Sequence, residues 1–581
     1  MDNMSKTPNF DAKIKVILDG LVPSERVCAL TGEKWMMDEA EVKWYRHLHV
    51  PPSKLSPTSS WFVLNGEALG FEWWWNKHPE TGKPILTYVH PATGVKALPD
   101  VDWFQKDFTS AGVDVDPGQS VFDQMLPIRK AVPVPATYNV KEPQGGISLL
   151  SYGDVNSYFT IACSAKNSFY SSDAFDCESV SEAYAVKNAT ECYRVICGAR
   201  LFKMRYAYHC FDSSDCAFVF DCRNCEYMFG GTNLRNKKYV WFNEQLSREE
   251  WERRRAEVDL SRRSVVAAQD QAFQALLASQ GFWPENFNEN APESTGDYLR
   301  DVLNCKTAFA SADGPRDNDW ACYCYGKSER TYMTCGAVNS ADSYYCATIP
   351  DSSNCNFCIN LARSLNMEYC ISCFNCENCF ACVGLNRKRF CILNKQYTEE
   401  EYWIKLDELK CAMLDRGEYG EFFPTSFSSS YFLESVAGIN LGSTKSDEAK
   451  YGFPSFDPES AGAIGELGDV TMLKDPETIP DAIDDVNIDE WAGVAMLDKQ
   501  MGRRFAFLRP ELEFYKAHKI APPTRHFIHR VDSLYHTANL FLLEDTVCSA
   551  CAKPLRVAKN KTFLNRKHLC REDYLKFLES R

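Results

Sequence analysis

The sequence predicts a mainly β protein with helices, in which a duplicated, cysteine-rich β-solenoid is flanked by two homologous α+β end modules. Three observations favour this fold class: the cysteines cluster in the middle of the chain, that middle region repeats itself, and the two ends repeat each other. Of the 26 cysteines among 581 residues, eight lie between Cys163 and Cys225 and 13 between Cys305 and Cys391. The middle is therefore a separate cysteine-rich region.

The cysteine-rich region consists of two related halves. A shift of 151 positions places Cys222 on Cys373, and the match continues without a gap towards the end of each half. At the front of each half a shift of 140 pairs Tyr158 with Tyr298. The difference between the two shifts, 11 positions, corresponds to one turn of a shorter repeat within each half.

The shorter repeat is clearest in the second half. Its cysteines recur every 11 or 12 positions, at Cys324, Cys335, Cys346, Cys358, Cys370 and Cys382. The intervening residues are Ser, Asn, Asp, Gly and Ala, which favour turns over helices. A fixed short period with turn-forming residues is typical of a solenoid, in which each turn stacks on the one before it.

The densest cysteine cluster places one thiol at every third residue and has two interpretations. It comprises Cys370, Cys373, Cys376, Cys379 and Cys382. A ferredoxin-type iron–sulfur motif, CxxCxxCxxxCP, has three residues between its last two cysteines and a proline after the last one. Neither feature is present here. In the aligned first half Met228 and Gly231 replace two of these cysteines. A packed core tolerates such replacements, whereas a metal cluster would lose two of its ligands. The pattern favours a ladder of buried thiols over a metal cluster.

The two ends of the chain are homologous modules. A shift of 470 positions places Glu41 and Tyr45 on Glu511 and Tyr515. Each module is predicted to begin with a short strand and to continue into a helix that carries an aromatic pair. The helix stops before a proline, where a helical conformation cannot continue.

The C-terminal module carries a candidate metal site. Cys548 and Cys551 form a CxxC motif, and Cys570 follows further along the chain, with His568 beside it. Zinc takes four tetrahedral ligands, and two facing hairpin tips supply them in a zinc ribbon. The fourth ligand is predicted to be Asp573 or His568. The module is therefore zinc-ribbon-like and is predicted to hold one zinc ion, with a degenerate, metal-free ribbon as the alternative.

The N-terminal module lacks a CxxC motif, because the tryptophans at 73–75 occupy that part of the sequence. We therefore expect a hydrophobic core in place of a metal there. In the C-terminal module His526, His529 and His536 are a second set of candidate ligands. A basic helix or strand face is the competing interpretation of these histidines, and the pattern favours it.

These patterns divide the chain into seven segments. They are an N-terminal module (1–140), the first solenoid half (141–246), a long connecting helix (247–295), the second solenoid half (296–397), a helix and closing segment (398–435), an extended acidic linker (436–485) and the C-terminal module (486–581). Ser247 with Glu250, and Thr398 with Glu401, predict a capping box at the helix that follows each half. The linker assignment rests on its Gly, Ser, Pro and acidic residues.

Charge is distributed unevenly along the chain. The formal net charge is −15, which argues against non-specific nucleic-acid binding by the whole protein. Residues 499–581 contain 17 Lys and Arg against eight Asp and Glu, so this part is basic. No secretory signal and no apolar stretch long enough to span a bilayer is recognisable, which predicts an intracellular, cytoplasmic protein with reduced thiols.

Four stretches carry a resemblance to a known family. They are NLRNKKYVWFNEQLSREEW, NCFACVGLNRKRFCILNKQYTEEEY, RRFAFLRPELEFYKAHKIAPP and the motif CSAC. Together they resemble an uncharacterised family of large cysteine-rich zinc-ribbon proteins with a duplicated repeat region, found in environmental bacterial genomes and large DNA viruses. The resemblance covers nearly the whole chain and implies two ribbons and a repeat region, without an activity. Where the family has a cysteine knuckle at both ends, this chain keeps only Cys548 and Cys551.

No catalytic motif is recognisable, since the Walker, HExxH, GxSxG and dinucleotide-binding patterns are absent. The leading hypothesis is a non-enzymatic structural or assembly scaffold that presents a repeat surface to proteins, including copies of itself, or belongs to a larger particle such as a virion. One alternative is a zinc-ribbon protein that binds nucleic acid through residues 499–581. The other is an iron–sulfur or thiol redox protein. No membrane insertion is predicted and no small-molecule substrate is identified.

Overall fold

The computed structural model describes residues 5–184, 187–196, 200–456 and 473–581. Helices make up 28% of the protein and strands 30%, so the prediction that strands combine with helices is confirmed. No helix in these ranges is both long and apolar enough to cross a membrane. The chain divides into two compact units, and each unit combines one end module with one stack of parallel strands.

The first unit joins Met1–Ala136, the N-terminal module, to Asn288–Phe456. The module contains the helices Pro8–Asp19, Glu39–Leu48, Pro57–Glu67, Asp100–Trp103 and Val121–Ala131, and the strands Ser24–Val27, Lys34–Met37, Trp74–Lys77, Pro84–Thr87, Ala97–Leu98 and Val134–Pro135. The second stack contains the strands Gly296–Arg300, Lys306–Ala312, Asp319–Cys322, Glu329–Cys335, Ala341–Ala347, Ser353–Asn356, Leu365–Glu368, Glu377–Phe380, Arg389–Ile392 and Lys395–Gln396. The helices Glu399–Asp415, Val436–Leu441 and Lys445–Lys450 follow it.

The second unit joins Thr137–Phe287 to Asp457–Arg581, which includes the C-terminal module. The first stack contains the strands Ile147–Leu149, Tyr158–Ile161, Ser164–Lys166, Phe175–Ser181, Lys187–Ile196, Arg200–Phe202, Arg205–Tyr208, Ser214–Phe220, Glu226–Thr232, Lys238–Trp241 and Glu244–Gln245, and the helices Arg248–Ala256 and Arg263–Gln280 and the strand Trp283–Pro284 follow. The C-terminal module contains the helices Ile488–Trp491, Arg509–Ala517, Phe527–Thr537 and Arg571–Glu579, and the strands Met496–Asp498, Arg503–Phe505, Asn539–Val547, Pro554–Asn560 and His568–Leu569.

In both stacks every third residue points inward. The buried core of the second stack between 337 and 391 consists of residues spaced by multiples of three, and so does that of the first stack between 174 and 240. The residue before an inward position has a left-handed φ, as at Asn354, Asn366 and Asn378. Asn tolerates this conformation better than most residues, which explains its frequency here. The three-residue spacing of the cysteine cluster therefore follows from the path of the backbone.

The column of stacked cysteines differs from the predicted one. Cys358, Cys370 and Cys382 belong to the inward core, each 12 positions after the one before it. The strand pairing sets Cys346 beside Thr334, so Cys335 is not part of the column. Asp319 pairs with Lys306 in the strand before it and with Tyr332 in the strand after it, each 13 positions away instead of 12. Each repeat of 13 residues moves the inward-pointing positions along the sequence by one residue. The predicted spacing of 11 through Cys335 was therefore wrong.

The segments that follow the stacks also differ from the predictions. The expected helix at 247–295 is two helices, because the Asp259 side chain accepts a hydrogen bond from the Ser261 amide (3.0 Å) and competes with the helical pattern. The capping box at Thr398 and Glu401 is present. At the other helix Glu250 binds Arg253 and Arg254 instead of completing the box.

The predicted extended linker at 436–485 begins with two short helices. Val436, Ile439 and Leu441 are buried in the first of them, which explains why this apolar stretch does not stay extended. Residues 457–472 of the predicted linker lie outside the described ranges. The remaining part, from 473 onwards, includes the short 3-10 turns Pro476–Thr478 and Ile483–Asp485.

The two end modules share one order of elements: a hairpin, two helices and a second hairpin. The helix pairs coincide after the predicted shift of 470 positions. In both modules the first of these helices carries a buried glutamate that accepts a hydrogen bond from the tyrosine one turn later. The distance is 2.7 Å from Tyr45 to Glu41 and 2.9 Å from Tyr515 to Glu511. Burial of the same pair in both modules agrees with their homology.

Candidate metal site

A hairpin and a helix of the C-terminal module bring four potential metal ligands together. Cys548 and Cys551 lie in the turn of the hairpin 539–560. Cys570 is the N-cap of the last helix, and Asp573 lies in its first turn. One ligand atom from each of the four residues lies within 4.8 Å of the others, so the group can hold a metal ion. It is the one such group among the residues that the structure describes.

The carboxylate of Asp573 contacts two of the three sulfurs. Its Oδ2 atom lies 3.2 Å from the sulfur of Cys548 and 3.3 Å from that of Cys570. The sulfurs of Cys551 and Cys570 are 3.9 Å apart. Three thiol sulfurs and one carboxylate oxygen thus surround a common point, which is the composition and number of ligands that a tetrahedral ion needs.

Backbone amides prepare Cys548 to bind as a thiolate. Burial raises its pKa, but hydrogen bonds from the amides of Cys570, Cys551 and Ala550 outweigh burial and lower the pKa below its ordinary value. The Cys570 amide lies 3.3 Å from this sulfur. Hydrogen bonds from the surrounding thiols also lower the pKa of Asp573, so its carboxylate is ionised. Hydrogen bonding to Asp573 raises the pKa of Cys551 to about 12, and the pKa of Cys570 is also raised. Since metals bind the deprotonated forms, Cys548 and Asp573 are the two groups prepared to bind a cation, and the other two thiols must release a proton to it.

The cluster lies on a small apolar core and is open on one side. Leu555, Val557, Leu569 and Tyr574 form this core with the two buried cysteines of the site. Cys551 is exposed to solvent. An ion can therefore enter from the Cys551 side, while the opposite side is held by packed side chains.

His568, the alternative fourth ligand, is not part of the group. Its backbone pairs with Trp283 in a short parallel ladder, and its side chain is buried. Burial and the nearby Arg566 lower the pKa of His568 to about 4. The group of mutually close ligand atoms contains Asp573 and not His568, so Asp573 is the potential fourth ligand.

The turn that carries the CxxC motif occurs four times among the described residues. The four turns are 28–32, 78–82, 498–502 and 548–552. In each, the amide of the fifth residue donates to the carbonyl of the first, at 2.8 or 2.9 Å. The fifth residue has a left-handed φ of 60° to 70°, and it is glycine in three turns and Ala552 in the last. The N-terminal module therefore keeps the turn without the CxxC motif.

Each turn faces the start of a helix, and we call such a pair a clasp. The N-caps of the four facing helices are Ser56, Pro99, His526 and Cys570, and the residues three positions later are Ser59, Asp102, His529 and Asp573. In the first clasp the sulfur of Cys28 contacts the hydroxyl of Ser59 at 3.4 Å. In the second, His78 contacts Asp102 at 3.6 Å. Hydrogen-bonding groups thus occupy positions that hold metal ligands in the fourth clasp.

The third clasp is closed by an ion pair. Asp498 accepts hydrogen bonds from the amides of Gln500 and His526 at 3.0 and 2.9 Å, and Arg525 contacts the same carboxylate at 2.8 Å. His526 caps its helix by accepting from the Ile528 amide. The histidines at 526, 529 and 536, which the sequence raised as a second metal set, do not come together as ligands.

The cysteines at every third residue point into the second stack. Each thiol donates to the carbonyl two residues earlier, and most also contact the carbonyl nine residues later, as Cys370 does at 3.3 and 3.4 Å. Burial raises the pKa of Cys370, Cys373 and Cys382, so these three thiols stay protonated, whereas hydrogen bonds with Cys373 and Cys379 lower the pKa of Cys376. Protonated thiols bound to the backbone favour packing over ligation. The full set is Cys370, Cys373, Cys376, Cys379 and Cys382.

Comparisons with known proteins do not identify a relative. No protein-family model matches the sequence, and no curated protein is significantly similar to it. The functional conclusion therefore depends on the geometry of the molecule.

Proposed function

We propose that the protein is a structural scaffold in which two β-solenoids bind other proteins along their side faces. The observation that carries this proposal is the alternation of one inward residue and two outward residues, over 174–240 in the first stack and 337–391 in the second. Because left-handed residues recur every three positions, each 12-residue repeat has short, regular sides. Regular sides of this kind present side chains at the same spacing over many repeats. Repeat proteins use such extended surfaces to bind their partners.

Outward side chains form ladders along these sides. Asn224 donates to Asn236 at 2.6 Å in the first stack, and Lys238 pairs with Glu226 at 2.9 Å. In the second stack Arg389 pairs with Glu377 at 3.0 Å. Each ladder joins residues 12 positions apart, so the polar surface has the period of the backbone.

Both ends of each stack are protected against open-ended growth. At the last turn an antiparallel strand, Glu244–Gln245 or Lys395–Gln396, pairs with the stack and stops the parallel ladder. At the first turn Pro143 and Pro292 lack the amide that a further strand would need. These features favour a particle of discrete size over a filament.

The experiment for this proposal combines mass measurement with site-specific cross-linking. A photo-reactive amino acid is placed at Asn236 and at Arg387, equivalent exposed positions of the two stacks, and at Lys43 on the N-terminal module as control. We expect adducts of defined mass with specific proteins, or with a second copy, from the two stack positions and not from Lys43. Light scattering should give one discrete mass over a wide concentration range. Equal adducts from all three positions, or growth into filaments, would contradict the proposal.

The ion proposed for the fourth clasp is zinc. Three sulfur ligands and one carboxylate oxygen suit zinc better than the oxygen-seeking calcium and magnesium ions. The ion would have a structural role, because all four protein ligands are used and no position is left open for a substrate. Metal analysis of the purified chain should find about one zinc per molecule. Several metal ions per chain would contradict the packing role of the thiols in the second stack.

Nucleic-acid binding by the C-terminal module is the second candidate. It is favoured by the exposure of Lys553, Arg556, Lys559 and Lys567 on the hairpin and the loop of the fourth clasp. Binding of labelled single- and double-stranded oligonucleotides to the full chain should weaken as salt rises. Replacing Arg556 and Lys559 by serine should lower the salt slope by about two. The matched control replaces Lys13 and Lys15, and absence of binding at low salt removes this candidate.

A further inference from the structure

A cavity in the first unit is not used by the proposed scaffold function. It has a volume of about 410 Å³ and lies between the second stack and the helices Pro8–Asp19 and Glu399–Asp415. Its floor is a column of the stack in which polar residues interrupt aromatic ones. Along this column Tyr344, Asn356, Glu368 and Phe380 are successive partners in the strand register. The two polar residues face the cavity.

Two neutral polar atoms at this cavity are buried without a hydrogen-bond partner in the described structure. They are the side-chain oxygen of Asn356 and the indole nitrogen of Trp403. Leaving such a group unpaired is unfavourable, so proteins almost always satisfy it with a protein group, water or a ligand. One of the two atoms accepts a hydrogen bond and the other donates one. A molecule in the cavity that does both would pair them.

The charged groups around the cavity already have partners. Lys410 pairs with Glu368 at 2.8 Å, and the hydroxyl of Tyr419 donates to the same carboxylate at 2.6 Å. Arg330 pairs with Asp342 at 2.7 Å, and His47 contacts Asp342 at 3.0 Å. Asp11, the remaining carboxylate of the lining, accepts hydrogen bonds from the hydroxyls of Ser5 and Thr7. An anionic ligand would lose its hydration without gaining a counter-ion, because Lys410 and His47 already contact carboxylates of the protein.

Aromatic rings line much of the remaining wall. Phe10, Phe380, Tyr402, Trp403 and Tyr419 border the cavity together with a row of asparagines, of which Asn354 and Asn366 are exposed and Asn378 is buried. Aromatic faces pack against the C–H faces of a sugar ring, and amides bind its hydroxyl groups. A hydroxyl both donates and accepts, which is what the two unpaired atoms need. The volume falls in the range of small-molecule sites.

The equivalent place in the other stack lacks this combination. A shift of 151 positions puts Arg205 where Asn356 stands and Glu252 where Trp403 stands. Arg205 uses its guanidinium to bind the Lys519 carbonyl at 3.0 Å. The unpaired acceptor and donor are therefore not a requirement of the stack itself.

We infer that this cavity is a binding site for a neutral saccharide, of one or two sugar rings. The ligand accepts a hydrogen bond from the indole N–H of Trp403 and donates one to Asn356. Its ring packs against the aromatic wall. This inference does not depend on the scaffold proposal, since it uses the lining of the cavity and not the binding of another protein.

Saturation-transfer NMR on the full chain tests the inference. The probes are glucose, galactose, mannose, N-acetylglucosamine and their β-1,4-linked disaccharides, with galacturonic acid and glucose 6-phosphate as charged counterparts. We expect transfer to at least one neutral sugar at millimolar concentration and none to the charged ones. Trp403→Phe keeps an aromatic ring and Asn356→Leu keeps the shape, and each should weaken binding about tenfold. Trp75→Phe, at an exposed tryptophan outside the cavity, is the matched control.

Three results would overturn the inference. They are no transfer to any neutral sugar, transfer to the charged sugars alone, and binding that both cavity variants leave unchanged. Thermal unfolding of each variant accompanies the titration. If Trp403→Phe loses its fold, Asn356→Leu still decides the outcome, because it lies on the opposite wall.

Discussion

The two end modules have the same backbone plan but close their clasps with different chemistry. In the N-terminal module a thiol–hydroxyl contact at Cys28 and an imidazole–carboxylate contact at His78 join turn and helix. In the C-terminal module the ion pair of Asp498 closes the third clasp, and the cysteine-rich ligand set closes the fourth. The difference teaches that the turn does not need a metal to form.

The reason lies in the turn itself. In all four clasps the first side chain accepts hydrogen bonds from amides that follow it, whether it is a thiol, an imidazole or a carboxylate. Burial raises the pKa of Cys28, but hydrogen bonds with Ser59, Thr31 and Ser56 lower it to about 6. An anionic or electron-rich group at this position is stabilised by the amides alone. A metal adds a link to the helix, which a short side-chain contact can replace.

The largest difference between the modules should appear when the first residue of a clasp is changed. Cys548→Ser removes a ligand, so we expect loss of the bound metal and a fall of about 4 kcal/mol or more in the unfolding free energy of the C-terminal module. Metal analysis and hydrogen exchange over 539–581 measure the two effects. Cys28→Ser is the matched control, with unchanged metal content and a cost of about 1 kcal/mol. Equal effects of the two variants would mean that the fourth clasp holds no metal.

The next prediction converts the third clasp to a metal site. Replacing Asp498 and Met501 by cysteine places a CxxC motif opposite His526 and His529, which completes a two-cysteine, two-histidine set. We expect about one additional zinc per chain, measured by mass spectrometry of the metal content. The control places cysteines at His78 and Thr81, which face Pro99 and Asp102 and have too few ligands. If the control gained zinc and the variant of the third clasp did not, the clasps would not be structurally equivalent.

The third prediction concerns the pH dependence of the ion pair. Burial raises the pKa of Asp498, but Arg525 and two backbone amides outweigh burial and lower it from 3.8 to about 2. Because the folded-state value lies below the unfolded one, the stabilisation is complete above about pH 4 and is lost as pH falls towards 2. It amounts to about 2 kcal/mol. Between about pH 4 and pH 2 the free energy of unfolding of the wild type should therefore fall by this amount relative to that of Asp498→Asn. Parallel pH profiles of the two proteins would contradict the assignment.

The sequence contained most of the information about the stacks but not their register. The recurrence of cysteine at every third residue, from Cys370 to Cys382, directly reflects the inward positions. The error at Cys335 arose because the longer steps on either side of Asp319 move the inward set, and Thr334 then takes the place of a cysteine. A single-residue shift of this kind changes which side chains are buried, and composition alone does not reveal it.

For the candidate site, the three cysteines were predictable and the choice between Asp573 and His568 was not. That choice depends on where the last helix begins, since Cys570 at its N-cap brings Asp573 to the same face. The clasps of the N-terminal module were missed, although a glycine four residues after a polar residue marks them at Gly32 and Gly82. The cavity at Trp403 was out of reach, because it forms between segments far apart in the chain.

The smallest expected effect comes from the last residue of the turn. Ala552 has a left-handed φ of 60°, where the equivalent residue of the other three turns is glycine. The side chain of an L-residue is strained in this region, so Ala552→Gly should stabilise the fourth clasp by about 1 kcal/mol. The reciprocal change, Gly82→Ala, should cost about the same amount, because open space surrounds the added methyl group and leaves backbone strain as the main effect. Chemical unfolding and metal affinity measure both variants, and a loss of stability in Ala552→Gly would mean that the four turns are not equivalent.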